Sequence, residues 1–366
     1  MKITAALTEA KGAPFVLAPL ELDEPRHGEI VVRLVSSGVC HTDLIVRDQW
    51  FPMPLPAVLG HEGAGIVEAI GDMVTGVVPG DHVVLTFNSC GTCRMCVQAR
   101  PAYCLQAFPY NFAGARPDGS TPLHRKSGDV NGVYFGQSSF ATYALANERN
   151  VVKVDPAAPL ELLGPLGCGI QTGAGSVLNS LRPAAGSSIA VFGAGAVGLS
   201  AVLASVVSGC TTIVAIDINE RRLRLAKELG ATHVINGTEG DTVQRLRDLT
   251  GGEGVDHSLE ATAVPAVLRQ AVDALNQGGT CGLIGASEPG SEVALDTFTL
   301  LSGRTVRGII EGDSVPQVFI PQLVDLYQQG RFPFDRLITT YAFADINRAV
   351  EDAERGDTIK PVLTFD

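Results

Sequence analysis

The sequence predicts a two-domain α/β chain, with a mainly β domain joined to a doubly wound parallel sheet. Three observations carry that reading. At 366 residues the chain exceeds what one hydrophobic core usually holds. Its first part alternates short β-branched runs, such as Glu29-Ile30-Val31-Val32-Arg33-Leu34-Val35, with Pro and Gly turns. Its middle reads strand, Gly-rich turn, helix, strand, and then repeats, an order that builds a parallel sheet. With 45% hydrophobic and 18% charged residues the chain has the apolar content for two cores, which excludes disorder.

The β-rich part continues through Ala64-Gly65-Ile66-Val67-Glu68-Ala69 and Pro79-Gly80-Asp81-His82-Val83-Val84-Leu85. Residues with chemistry fall on the loops between these strands. Val39-Cys40-His41-Thr42-Asp43 offers a thiolate, an imidazole, a hydroxyl and a carboxylate behind Gly38, which is the composition of a site rather than a core. Gly60-His61-Glu62-Gly63 sets a His beside an acid between glycines, where backbone can approach closely. Leu166-Gly167-Cys168-Gly169 isolates another cysteine in the same way. Alone, each cysteine would read as a small buried hydrophobe. Together, Cys40, His61 and Cys168 make the two-thiolate, one-imidazole pattern of a catalytic zinc, with a fourth position left for water or substrate.

Cys90, Cys93, Cys96 and Cys104 follow, with two, two and seven residues between them. This spacing predicts a structural zinc, closed by four thiolates and without room for substrate. An iron–sulfur run begins alike but has three residues before its fourth cysteine and a proline after it; here Leu105 follows Cys104. Residues 106–139 show no period and read as a long irregular loop. The aromatics Phe108, Tyr110 and Phe112 in it either line a pocket or pack the loop onto its own domain.

In the middle, the apolar strand Ser188–Phe192 leads into Gly193-Ala194-Gly195-Ala196-Val197-Gly198 and a helix ending near Gly209. A second strand, Thr212–Ile216, ends at Asp217. An acid about 20 residues beyond a G-x-G-x-x-G that follows a strand and opens a helix is the dinucleotide-binding fingerprint. The glycines admit a pyrophosphate to the helix N-terminus, where unpaired N–H groups favour anions. The Asp217 carboxylate suits ribose hydroxyls and repels a 2′-phosphate, so NAD is expected over NADP, although Arg221 and Arg222 lie close by. Helical faces at Leu223, Ala226 and Leu229 and at Leu268, Ala271, Val272 and Leu275 alternate with strands at Val255–Leu259 and Gly282–Ile284. Two further helices fit Val318–Tyr327 and Ile346–Ala353.

A net charge of −12 argues against nucleic acid as a partner. The N-terminus lacks the long apolar run and cleavage site of a signal peptide, so a cytosolic protein is expected. The uncharged run Pro183–Ile216 is long enough for a membrane span, but its glycines break it into strand, turn, helix and strand. Eight cysteines in a reducing compartment favour metal over disulfides, with Cys210 and Cys281 expected in the core.

The segments Gly38-Val39-Cys40-His41-Thr42-Asp43, Leu59-Gly60-His61-Glu62-Gly63-Ala64-Gly65 and Cys90 to Cys104 resemble the zinc-dependent medium-chain alcohol dehydrogenases, over the whole chain. Within that family the chain looks most like the bacterial aryl (benzyl) alcohol dehydrogenases, with geraniol-type enzymes next. The resemblance implies a discontinuous GroES-like catalytic domain over residues 1–169 and 313–366 and a Rossmann NAD-binding domain over 170–312. It implies two zincs per chain, NAD, a primary alcohol and its aldehyde as substrates, and a homo-oligomer, either dimer or tetramer. Zinc would acidify the alcohol while NAD takes the hydride.

Carried over position by position, Thr42 hydrogen-bonds the alcohol, Asp43 orients His61, and Glu62 sits behind the zinc as a transient ligand. His41 contacts the pyrophosphate, Thr172 lies near the nicotinamide, Arg222 touches the NAD ribose, and Lys360 is a cation near the pyrophosphate. One position departs from the family. Ile45 stands where many members carry the His that ends a proton relay, and isoleucine cannot carry a proton. Trp50, Phe51 and Phe87 are candidates for an apolar slot that takes a flat alcohol. Terpenoid allylic alcohols and the glutathione adduct of formaldehyde are the alternative substrates. A zinc-stabilised NAD(H)-binding protein without catalysis is the alternative of another class, and it has no use for an open three-ligand site.

Overall fold

The computed structural model describes residues 1–365. They form two compact units, one of Met1–Cys168, Val315–Gln329 and the stretch from Asp335, the other of Gly169–Ser314 and Gly330–Phe334.

The first unit is built on two sheets. Five strands run in the order Ala57–Val58, Lys2–Thr8, Val16–Leu22, Leu123–Arg125 and Gly128–Val130. In the second sheet, Val151–Lys153, His82–Leu85, Gly63–Ile70, Glu29–Gly38, Lys360–Thr364 and Ile338–Ala342 lie side by side, and Tyr143–Asn147 also pairs with Glu29–Gly38. Side chains of alternate residues, among them Ile3, Ala5, Leu7, Leu20 and Leu22, enter the core, as the period of two requires. Register matters most at one end of the second sheet. Ser37 pairs with Gly63, and Gly38 pairs with Val362, so the chain ends leading to Cys40, His61–Glu62 and Lys360 emerge side by side.

Residues 106–139 are more ordered than their lack of period suggests. They carry a short helix, Ala107–Asn111, and the hairpin Leu123–Arg125/Gly128–Val130, whose first strand pairs with Val16–Leu22. Three-residue strands are too short to show an alternation, which is why the sequence hides them. The stretch after Cys40, expected as a loop, is the helix His41–Arg47, closed at its start by a capping box between Cys40 and Asp43.

In the second unit six parallel strands lie in the order His233–Asn236, Thr212–Asp217, Ser188–Phe192, Val255–Glu260, Leu275–Leu283 and Thr305–Gly308. Numbered along the chain this is 3-2-1-4-5-6, the doubly wound order whose crevice opens at the carboxyl end of the first strand. Helix Ala196–Val207 packs there, buried over most of its length, which accounts for the uncharged run noted above. Among the described residues no helix is long and apolar enough to cross a membrane. Cys281 lies in this core, fully buried, but Cys210, also expected in the core, is partly exposed at the turn after that helix.

Candidate active site

Cys40, His61, Glu62 and Cys168 come together inside the first unit, with one ligand atom from each lying within 4.8 Å of the others. Their convergence depends on glycine. A Cβ on Gly38 would stand 2.0 Å from Glu62 Oε2, and Gly60, at φ +90°, would push one to within 2.5 Å of the Phe140 nitrogen. Any other residue at either place would force the ligand loops apart.

Cys40, His61 and Glu62 are each held by a buried partner. Asp43 is fully buried and takes three bonds: His61 Nδ1 at 2.7 Å and Gly60 N at 3.2 Å on Oδ1, and Cys40 N at 2.9 Å on Oδ2. An ionised carboxylate only accepts, so Nδ1 carries the proton and Nε2 faces the other ligands. His61 Nε2 is buried and has no hydrogen-bond partner, a costly arrangement unless a cation sits there. Burial disfavours the imidazolium, yet the Asp43 carboxylate outweighs it and raises the His61 pKa well above its ordinary value. At Cys40 a hydrogen bond from Cys168, reinforced by the Lys360 and His61 charges, overcomes burial and brings the thiol well below its usual range. Two cysteine sulfurs, an imidazole nitrogen without a hydrogen-bond partner and a carboxylate converge there, and soft sulfur with imidazole suits zinc.

Lys360, expected from the resemblance as a cation near the pyrophosphate, is committed to a buried carboxylate. It is 3% exposed, and its Nζ lies 2.9 and 3.0 Å from the two oxygens of Glu62 and 3.3 Å from Val39 O. A lone buried carboxylate is too expensive to keep, so the ammonium is spent on it. Burial still pushes the Glu62 carboxyl up, against the pull of the Lys360 charge.

Aromatic rings cover the imidazole. Phe135 stacks on His61 at 4.5 Å, Tyr134 meets it edge-on at 5.5 Å, Phe112 packs on both, and Phe51 packs on Phe112. Tyr134 and Phe135 escaped sequence reasoning. The signal was weak: two aromatics between Gly132 and Gly136, on a backbone where Val133, Phe135 and Ser138 all take positive φ. Such conformations cost of order 1 kcal/mol or more each and tend to mark functional segments. Gln137 in the same segment holds the ligand loop, accepting from Gly63 N at 3.0 Å and donating to His61 O at 2.9 Å. Of the aromatics flagged in the sequence, Phe108 stacks on Phe112, Phe87 is core, and Trp50 is more than half exposed. Tyr110 lies away from the imidazole, lining a cavity of about 470 Å³ beside Cys90 and Cys93. Thr42 Oγ1 is 3.7 Å from Cys40 Sγ, His41 is exposed, and Ile45 is buried in the core.

The second cluster is closed. Cys93 and Cys96 sulfurs lie 3.6 Å apart, and the Cys90–Cys96 and Cys93–Cys104 pairs 4.0 Å apart. A tetrahedral zinc with bonds of about 2.3 Å needs sulfurs roughly 3.8 Å apart. Backbone N–H groups of Cys93, Leu105, Gln106 and Cys90 point at these sulfurs from 3.3 to 3.4 Å. Burial opposes ionisation at Cys90, but N–H groups of Thr92 and Cys93 bring its thiol down to about 6, while burial pushes Cys104 up to about 12.

In the second unit Gly193, at φ +96°, turns the chain from strand to helix. A Cβ on Gly198 would lie 1.7 Å from Gly193 O, so only glycine lets the helix close on the turn, whereas a Cβ on Gly195 would meet nothing within 4 Å. That leaves open space before the helix N-terminus, where a pyrophosphate fits. The adjoining cavity, about 450 Å³, is lined by Gly193, Gly195, Asp217, Ile218, Arg222 and Thr262, among others. Asp217 braces the loop by accepting from Ala194 N at 2.6 Å and Asn219 N at 2.9 Å.

Comparison with known proteins agrees with both halves. The alcohol dehydrogenase GroES-like domain model matches residues 26–156, and the zinc-binding dehydrogenase model matches 196–329. Geraniol dehydrogenase of Castellaniella defragrans is 49% identical over 364 residues, covering 99% of this chain and 97% of that protein. The chain belongs to the zinc-dependent medium-chain alcohol dehydrogenases. Like its relatives this dehydrogenase is an oxidoreductase acting on CH–OH groups, with zinc and NAD as cofactors. S-(hydroxymethyl)glutathione dehydrogenase of Saccharomyces cerevisiae is 34% identical, covering 100% of this chain and 97% of that one. Among solved structures, benzyl alcohol dehydrogenase of Acinetobacter calcoaceticus superimposes with a TM-score of 0.97 at 51% identity, covering 100% of both chains. An alcohol dehydrogenase zinc-binding domain protein of Burkholderia ambifaria gives 0.99 at 56%, covering 100% of this chain and 99% of that one.

Proposed function

We propose that this dehydrogenase reversibly oxidises primary aromatic alcohols of the benzyl type to aldehydes with NAD. The single observation behind the substrate class is the aromatic wall over His61, formed by Phe135, Tyr134, Phe112 and Phe51. Flat rings pack on such walls by edge and offset contacts worth about 0.5–1.5 kcal/mol per pair beyond area burial. The benzyl alcohol dehydrogenase of Acinetobacter, 51% identical, supports the same class.

In this reading Cys40, His61 and Cys168 hold the catalytic zinc, and Cys90, Cys93, Cys96 and Cys104 the structural one. When bound, zinc supplies a Lewis acid that makes an alcohol hydroxyl acidic near neutral pH, and NAD supplies the hydride acceptor. The chain does the rest. Asp43 fixes the His61 tautomer and ring plane. Thr42, next to Cys40, offers its hydroxyl to the alcohol proton. Glu62, neutralised by Lys360, stands behind the ligands as a reserve donor. The rings exclude water and hold the substrate carbon in place. With Ile45 buried and apolar, the proton leaves by a route other than that position. For the cofactor, Gly193, Gly195 and Gly198 of the second unit seat the pyrophosphate, and Asp217 and Arg222 take the ribose end; by family resemblance Thr172 of the same unit borders the nicotinamide.

A terpenoid allylic alcohol is the second reading, favoured by the geraniol dehydrogenase at 49% identity. The glutathione adduct would need an anchoring cation, and the ammonium found at this site, Lys360, is committed to Glu62. Family membership supports a dimer or tetramer acting in the cytosol, which light scattering and cell fractionation would read. The substrate experiment is a panel of benzyl, allylic and aliphatic alcohols with NAD and with NADP, following absorbance of the reduced nicotinamide. Highest kcat/KM on benzyl alcohol with NAD is expected; an aliphatic preference overturns the reading.

A further inference from the structure

Three successive residues of the second unit, Glu311 (φ 50°), Gly312 (φ 64°) and Asp313 (φ 50°), take the left-handed conformation. Two of them carry side chains, so the turn is strained, and such turns persist only where their surroundings over-determine them. The surroundings here are the helix Gly169–Gly175. A Cβ on Gly312 would lie 2.4 Å from Gln171 O and 2.8 Å from Gly175 Cα, so the turn sits hard against the helix. Side chains fasten it. Asn179 Nδ2 donates to Gly312 O at 3.2 Å, Arg307 pairs with Asp313 at 2.7 Å, and the buried Ser314 hydroxyl lies 2.9 Å from Gln171 Oε1 and 2.6 Å from Glu311 O.

The turn aims the Glu311 carboxylate at that helix. Oε2 accepts from Gln171 Nε2 at 3.3 Å and from Thr172 Oγ1 at 3.4 Å. A hydroxyl has one proton. Because Thr172 gives it to Glu311, the lone pairs of Oγ1 remain for whatever lies on its partly exposed side, and they carry the field of a carboxylate behind them. We propose that Glu311 is a positioning residue that acts through Thr172 as the counter-charge of the oxidised nicotinamide ring. The inference rests on the reading that Thr172 borders the nicotinamide. Oxidised NAD carries a positive charge on that ring and NADH does not. A fixed carboxylate at short range therefore favours the oxidised form and sets the ratio of the two affinities.

The test measures Kd for NAD and for NADH on the zinc-loaded enzyme, by NADH fluorescence and by competition. Glu311→Gln keeps the shape and removes the charge. It should raise Kd for NAD about 5- to 10-fold and leave Kd for NADH within about twofold, the scale of one charge acting across a partly solvated gap. Glu311→Ala carries the same Cβ and the same backbone strain, and should give the same one-sided shift. If both affinities fall together, or neither moves, the proposal is overturned. Thr172→Ala separates that failure from failure of the reading beneath it. No change in either affinity or in the hydride-transfer rate means that Thr172 does not border the ring. A slower transfer in Thr172→Ala with an unshifted ratio in Glu311→Gln sinks the counter-charge alone.

Discussion

Two cysteine clusters in one unit solve opposite problems with the same element. Around Cys90, Cys93, Cys96 and Cys104 the partners of sulfur are backbone N–H groups, which are neutral, short and fixed by the loop itself. Around Cys40, His61 and Cys168 the partners are buried charges, Asp43 on the imidazole and the Glu62–Lys360 pair behind the ligands. Four equal thiolates saturate an ion and leave it inert. Two thiolates and an imidazole leave a corner open, and the price is a set of buried charges that must balance one another. On the roles proposed for them, the site that folds the loop relies on backbone donors, and the site that reacts relies on side chains brought in from distant strands.

Substitutions should separate the two. His61→Ala removes a ligand of the open site; it should lower kcat/KM roughly 10⁴-fold, the several kcal/mol a Lewis acid supplies. Metal analysis should show the loss of one zinc; the buried Asp43 left without its imidazole lowers the thermal midpoint as well, but activity falls far more than stability. Cys104→Ala breaks the closed site and should do the reverse. A structural zinc contributes folding energy outright, so a loss of about 4 kcal/mol and a midpoint lower by about 10 °C is expected by calorimetry. Turnover per chain that stays folded and keeps the catalytic zinc should hold within about twofold. Equal loss of activity and stability in both variants would break the comparison.

The buried charges of the open site give smaller effects that sharpen it. Lys360→Met leaves Glu62 buried and uncompensated, which should cost about 3–5 kcal/mol in chemical denaturation, and Lys360→Met/Glu62→Gln should recover most of it. A double variant as unstable as the single would show that the pair is not what the lysine serves. Asp43→Asn should cost 10- to 100-fold in activity or zinc affinity, because the amide removes the charge behind the His61 ring and has one accepting oxygen where Asp43 uses two. An exposed pair sets the scale. Hydrogen bonding to Asp129 raises the His124 pKa against some burial, with Asp23 adding to it. A raised folded-state pKa means the stabilisation is complete below the unfolded value near 6.5 and is lost as pH climbs through the folded one. With 38% of the His124 side chain exposed, solvent screening limits this to about 0.3 kcal/mol, read as the difference between wild type and His124→Gln across pH 6 to 8.

Much of this was visible in the sequence because it is local. Cys90 to Cys104 sit within one loop, so their spacing already encodes their geometry. Gly193, Gly198 and Asp217 belong to one strand–turn–helix–strand unit, so their roles also follow from adjacency. The seven residue names of the two clusters were legible; the meeting of Cys40, His61 and Cys168 was a chemical expectation, made physical for the first two by the register of Glu29–Gly38 against Gly63–Ile70 and for Cys168 by the turn Gly164–Gly167 that precedes it. What stayed hidden is long-range. Nothing near Lys360 in the sequence names Glu62 as its partner; the pairing of Lys360–Thr364 with Glu29–Gly38 brings the two together. Tyr134 and Phe135 lie in a segment without period, and only its tertiary anchors reveal that it covers the imidazole. The short hairpin at Leu123–Val130 was lost for the same reason.

The central claim is that the two clusters hold separate ions and only one of them serves the reaction. The most direct test is the zinc content of the purified wild type beside Cys168→Ser, with benzyl alcohol oxidation followed in both. Two zincs in the wild type, one in the variant and no oxidation by the variant are predicted. A variant that keeps both zincs, or one that loses a zinc and still oxidises the alcohol at the wild-type rate, would contradict the account.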